Sequence, residues 1–288
     1  MRTVIISDIK SEKESIIPYG LHIAKLLASR ADVVHIIDPR IQQGVYSSYA
    51  DSQTTSPGEK LGHEEIMERE IHNANKELDE ILVREVSRLN YPLQTNKIVQ
   101  EYTIIKKLKE LERDIEDPLI IVSAEPDKYI FTSHHETVSI ISKIKTASLF
   151  VPPGYDYTEF RNVLIVPHNS SQNIKKYAWL LEAIFKNKPR VTAVDVINTE
   201  EKYKQEKEIM ESRMKNVSLV ASGPDIETML FTGRNYFDIL SEQIEEIKPD
   251  LIISFNEDRG YFNFRSPHSS DLKMLKCISG CNPVLFLS

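Results

Sequence analysis

The sequence predicts an α/β chain built from two tandem doubly wound domains, each a five-stranded mostly parallel sheet with four helices. Two observations carry this. The first is the alternation of short, near-continuously apolar runs with longer stretches striped at helical spacing, the pattern of a parallel sheet covered on both faces. The second is that the pattern occurs twice. Thr3-Val4-Ile5-Ile6 running into Ser7-Asp8 is matched by Val163-Leu164-Ile165-Val166 running into Pro167-His168-Asn169. Asp117-Pro118-Leu119-Ile120-Ile121-Val122-Ser123 is matched by Pro249-Asp250-Leu251-Ile252-Ile253-Ser254, and Ser148-Leu149-Phe150-Val151 by Val284-Leu285-Phe286-Leu287. Self-similarity at so long a period marks a duplicated domain and not a solenoid.

In the first copy, Ile16, Gly20, Ile23, Ala24 and Leu27 stripe a helix after the opening strand, and residues 33–37 form a buried strand. Residues 41–60, polar and aperiodic with Pro57-Gly58, are expected to be a long mobile loop. Met67, Ile71, Ala74, Leu78, Leu82, Val86 and Leu89 make one apolar stripe and hence the longest helix. A strand over 95–99, a helix striped by Ile104, Leu108, Leu111 and Ile115, a strand over 119–123, a helix over 137–145 and a strand over 148–151 complete the copy. The second copy reads as strand 163–166, a helix through Ile174, Tyr177, Ala178, Leu181 and Phe185, strand 191–197, a charged helix over 199–215 and a strand over 217–221. A helix striped by Tyr236, Leu240, Ile244 and Ile247, strand 251–255, a helix through Leu272, Leu275 and Ile278, and a final strand follow. Pro152-Pro153-Gly154-Tyr155-Asp156-Tyr157 has linker chemistry, dividing the chain into domains 1–152 and 160–288 with a linker at 153–159.

The 288 residues suffice for two cores, and 41% hydrophobic with 27% charged residues is the composition of a globular protein. A formal charge of -7 gives no basic footprint, so nucleic acid is not an expected partner. No apolar run is long enough to span a bilayer and no signal-peptide pattern opens the chain, so the expected location is the cytoplasm. Cys277 and Cys281 lack further Cys or His at ligand spacing and read as structural thiols.

Val4-Ile5-Ile6-Ser7-Asp8, Asp117-Pro118-Leu119-Ile120-Ile121-Val122 and Asn282-Pro283-Val284-Leu285-Phe286-Leu287, in this order and twice over, resemble the universal stress protein family, of which the chain looks like a tandem member. The resemblance implies the HUP-type, adenine nucleotide alpha hydrolase-like fold and a role in stress response. Related single-domain proteins dimerise through the closing strand. The tandem chain is thus expected to form an intramolecular pseudo-dimer by antiparallel pairing of residues 148–151 with 284–287, with a further homodimer open. An unknown protein or small molecule is the expected partner.

ATP-binding members of that family carry G-x2-G-x9-G-[ST] after the fourth strand, where the glycines let backbone N–H groups approach the phosphates. The stretch from Ser123 to His135 contains no glycine and carries Glu125 and Asp127, acidic groups that repel a polyphosphate. The second copy keeps Gly260 at the wrong place for the motif, flanked by Arg259 and Arg265. The expectation is therefore a non-catalytic protein that uses no cofactor and does not bind ATP. The alternatives are an ATP-binding protein with a modified pocket in the second domain and a small-ligand or metal sensor. The remnant pocket is assigned to Asp8, Ser123, His134, His135, Asn169, Arg259, Gly260, Arg265 and Ser269. Asp8 stands where the family places an aspartate near adenine and ribose, and equally serves as a charge partner for the following helix. Asn169 and Ser269 also read as helix caps. His134, His168 and His268 are weak metal candidates beside polar partners, with surface or capping roles as the alternative. No nucleophile elbow or Walker loop is present.

Overall fold

The computed structural model describes residues 2–7, 9, 16–37, 63–124, 146–167, 174–255 and 282–287. Among the described residues, ten strands form one sheet in the order β3-β2-β1-β4-β5-β10-β9-β6-β7-β8. They are β1 (Arg2–Ser7), β2 (Arg30–Ile37), β3 (Thr95–Glu101), β4 (Leu119–Ser123), β5 (Ser148–Val151), β6 (Asn162–Val166), β7 (Arg190–Ile197), β8 (Ile226–Thr232), β9 (Leu251–Phe255) and β10 (Val284–Leu287). Within each half every pairing is parallel, and the order is that of a doubly wound sheet.

The halves join where the pseudo-dimer expectation places the seam: β5 and β10 pair antiparallel, with Leu149 opposite Leu285 and Phe150 opposite Val284. Phe150 and Phe286 occupy equivalent places in the two halves. Their rings meet edge to face at 5.5 Å, and both are buried. Each short apolar edge thus satisfies its backbone groups on the other, and the sheet runs unbroken across the molecule.

Six α-helices lie among the described residues: α1 (Ile17–Leu26), α2 (His63–Leu89), α3 (Ile104–Asp114), α4 (Ala178–Phe185), α5 (Tyr203–Val220) and α6 (Tyr236–Ile247). Alternation along the strands sorts the core into two layers. Ile5, Val33, Ile121, Leu149, Ile165 and Leu285 face the side of α1, α2, α4 and α5. Val4, Ile6, Val34, Ile120, Phe150 and Phe286 face the side of α3 and α6. In α2, Met67, Ala74, Leu78, Leu82 and Leu89 form the buried stripe, as the spacing predicts for the longest helix.

One expected strand is corrected. Residues 217–220 finish α5 and Ala221 caps it, and the third strand of the second half is Ile226–Thr232. Met210, Met214, Val217 and Ala221 are all buried at spacings of four, three and four, so tertiary packing extends the helical stripe through a run with strand propensity. Leu219, on the opposite face, is 69% exposed. Ser222 then turns with φ 45° and Gly223-Pro224 stops the helix. The charged helix correspondingly runs over Tyr203–Val220 after a 3-10 turn at Glu200–Lys202, and the preceding helix also opens as a 3-10 turn, Ile174–Tyr177. The loop expected at 41–60, the helices expected at 137–145 and through 272–278, and both cysteines lie outside the described residues.

The connector between β5 and β6, read as a linker from its sequence, packs on α1. A turn in which the Tyr155 N–H donates to the Pro152 carbonyl at 3.2 Å, with Gly154 at φ 69°, brings two tyrosines onto Tyr19. The Tyr155 and Tyr157 rings meet Tyr19 edge to face at 6.1 and 5.6 Å, and Phe160 is buried against Tyr157.

Candidate functional site

In a doubly wound sheet a crevice opens outside the carboxyl ends of the strands where the order reverses, because the two connections leave in opposite directions. Here that is between β1 and β4, and again between β6 and β9.

The first crevice is polar at its base. Ser7 ends β1 fully buried, and among the described residues its Oγ has no hydrogen-bond partner. Opposite it on β2 stands His35, 2% exposed, whose Nδ1 lies 3.4 Å from the Ser7 carbonyl oxygen. A carbonyl only accepts, so this contact needs the proton on Nδ1. Ser123 and Ala124, both buried, close β4, and the Ala124 N–H donates to the Val151 carbonyl at 2.8 Å.

The second crevice is built differently at equivalent positions. Following the β6–β7 register two residues beyond Ile165 opposite Ala193, Pro167 takes the place of Ser7 and Asp195 that of His35. Phe255, 3% exposed, ends β9 where Ser123 ends β4. Proline offers no N–H and phenylalanine no polar group, so these strand ends present a ligand with less hydrogen bonding than those of the first half. Asp195 is the exception. Burial pushes its carboxyl up to about 6, with Glu206 adding to the rise. The Val196 N–H donated to its Oδ1 at 2.8 Å and the Arg213 charge oppose it.

Of the residues assigned from sequence, Ser123 lies at the first crevice, at the end of β4. Asp8, His134, His135, His168, Asn169, Arg259, Gly260, Arg265, His268 and Ser269 lie outside the described residues. Among the described residues no three His, Cys, Asp or Glu side chains converge as a metal site would require. His35 and Asp195 were missed by sequence reasoning. Each is a lone polar residue inside an apolar strand, Val33-Val34-His35-Ile36-Ile37 and Val194-Asp195-Val196, which is the signal that marks them.

No protein-family profile matches the chain, and no curated protein does. Solved structures do resemble it in fold. A universal stress protein from Archaeoglobus fulgidus DSM 4304 superposes with a TM-score of 0.62 at 12% identity, covering 99% of this chain and 97% of its own. A putative universal stress protein from Pseudomonas aeruginosa UCBPP-PA14 gives 0.58 at 12%, covering 99% and 92%. The cytoplasmic domain of a prokaryotic cation chloride cotransporter gives 0.52 at 9%, covering 99% and 94%. The chain therefore has the fold of universal stress proteins along nearly its whole length, a fold that also serves in a transporter's cytoplasmic domain. Among the described residues, no helix is long and apolar enough to cross a membrane.

Proposed function

We propose that the chain is a tandem universal stress protein that acts in the cytoplasm as a non-catalytic binding protein of the stress response, with a protein or small molecule as partner and without ATP as its ligand. The observation that carries this reading is the paired architecture, two five-stranded halves closed on each other through β5 and β10, together with its likeness to the archaeal universal stress protein over both full lengths. Fold alone does not choose a ligand. The strand ends argue against ATP: the residues from Ser123 to His135 contain no glycine, and the second crevice is built on Pro167 and Phe255. Without glycine, side chains stand between the backbone N–H groups and a polyphosphate, and Pro167 offers no N–H at all.

The test is calorimetric titration of the full chain with magnesium ATP, alongside mass spectrometry of small molecules released from the purified protein. The expected outcome is no saturable heat and no released nucleotide. Saturable binding would overturn the ATP clause, and its loss on Arg259→Gln with Arg265→Gln would move the site to the second half.

A further inference from the structure

A cleft of about 760 Å³ opens between the connector, α1 and the last turns of α2, and among the described residues none of its walls comes from the ends of β1 or β4. It is separate from both crevices, and its volume falls within the range of small-molecule sites.

One wall is aromatic, with the exposed Asp156 between its two connector tyrosines. The His22 ring stacks flat on Tyr157 at 4.8 Å with 8° between the planes, and Tyr155 lies beside it. Burial, reinforced by the Lys25 charge, lowers the His22 pKa, so the ring is neutral at pH 7 and serves as a stacking surface. The opposite wall is charged. Glu85 is 6% exposed on the inward face of α2 and accepts from Arg84 Nε at 2.6 Å and from Arg88 Nη1 at 3.1 Å. The two guanidinium side chains are 57% and 69% exposed. Arg84 uses only Nε and Arg88 only Nη1 among the described residues, leaving the rest of both forks to donate into the cleft.

A buried carboxylate is costly for packing alone, and the second half shows the apolar alternative. Four residues before the last buried residue at each helix end stands Glu85 in α2, counted from Leu89, and Val217 in α5, counted from Ala221 at its C-terminal cap. Valine fills that position in the core, whereas Glu85 orients two guanidinium groups beside a ring wall. The connector that supplies Tyr155 and Tyr157 packs on α1 of the first half.

We propose that this cleft binds a small aromatic oxyanion, a planar ring carrying a carboxylate or phosphate. The ring lies along Tyr157, His22 and Tyr155, and the oxyanion takes the free N–H groups of Arg84 and Arg88. Glu85 is a positioning residue that holds the forks. The site stands apart from the crevices, so the proposal does not depend on the ATP clause above.

The probes are 2-naphthoate and 2-naphthyl phosphate, with 2-naphthol as the ring alone and inorganic phosphate as the anion alone, titrated into the full chain by calorimetry and ligand-observed NMR. Both aromatic anions are expected to bind saturably, and each single-feature probe at least about tenfold more weakly. Arg84→Gln with Arg88→Gln is expected to weaken the anions about tenfold or more and leave 2-naphthol unchanged. That pair leaves the Glu85 carboxylate buried and unpaired, so the measurement is repeated with Glu85→Gln added. Tyr157→Leu is expected to weaken every ring-bearing probe. Absence of saturable binding, 2-naphthol binding as tightly as 2-naphthoate, or anion binding indifferent to the arginine pair would each overturn the proposal. ATP binding abolished by the Arg84 and Arg88 changes would place the nucleotide in this cleft and count only against the ATP clause.

Discussion

At the scale of single residues, the pseudo-symmetric pair His35 and Asp195 shows how the two crevices have diverged on one backbone. The histidine is held by a backbone carbonyl, whereas the carboxyl is desolvated by more than the Val196 N–H and the Arg213 charge offset. The folded-state value of Asp195, about 6, stands above the ordinary 3.8, so the native chain binds this proton more tightly than the unfolded chain. The resulting stability is complete below about pH 4 and is lost as the pH rises through about 6. Above that, the ionised carboxylate destabilises the fold. Asp195→Asn keeps an oxygen for the Val196 N–H and removes the charge. Urea denaturation across pH should show variant and parent nearly equal near pH 4, with the variant ahead by on the order of 2 kcal/mol near pH 7. A difference independent of pH would contradict this account.

Among the elements, α1 lies so close to β1 because of one missing side chain. A Cβ at Gly20 would stand 2.6 Å from Cδ1 and Cγ1 of the fully buried Ile5. Helix propensity alone favours alanine over glycine by about 1 kcal/mol. Here overpacking, on the order of 1–3 kcal/mol, outweighs it, since Ile5 is fully buried between sheet and helix. Gly20→Ala should therefore lower the urea midpoint, and a rise would mean that α1 has room to shift. The same approach carries Tyr19 and His22 against the connector and so sets the width of the cleft.

For the molecule as a whole, the seam between β5 and β10 makes two halves into one sheet. Phe150 and Phe286 meet across it, both on the α3 and α6 side. A double-mutant cycle with Phe150→Leu and Phe286→Leu should return a coupling of about 0.5–1.5 kcal/mol, the worth of an edge-to-face pair beyond its buried area. Strictly additive losses would show that the rings only fill their own halves.

The order of strands and helices was legible in the sequence because apolar runs and 3.6-residue stripes are local consequences of burial. The duplicated closing strands also foretold the antiparallel seam, since two short apolar edges on one chain have each other as the nearest partner. Tertiary structure alone decided the rest. Residues 217–220 are helical because Met210 and Met214 continue their stripe, a reason no window centred on the run contains. Tyr155 and Tyr157 read as linker residues until Tyr19, more than a hundred positions earlier, gives them a surface to pack on. The equivalence of His35 and Asp195 appears only when strand register sets the halves side by side, and Glu85 reads as one more charge on a long amphipathic helix until the turn of α2 points it inward. Periodicity records which face of an element is buried, whereas which groups meet across the chain depends on register and close approach between residues far apart in sequence.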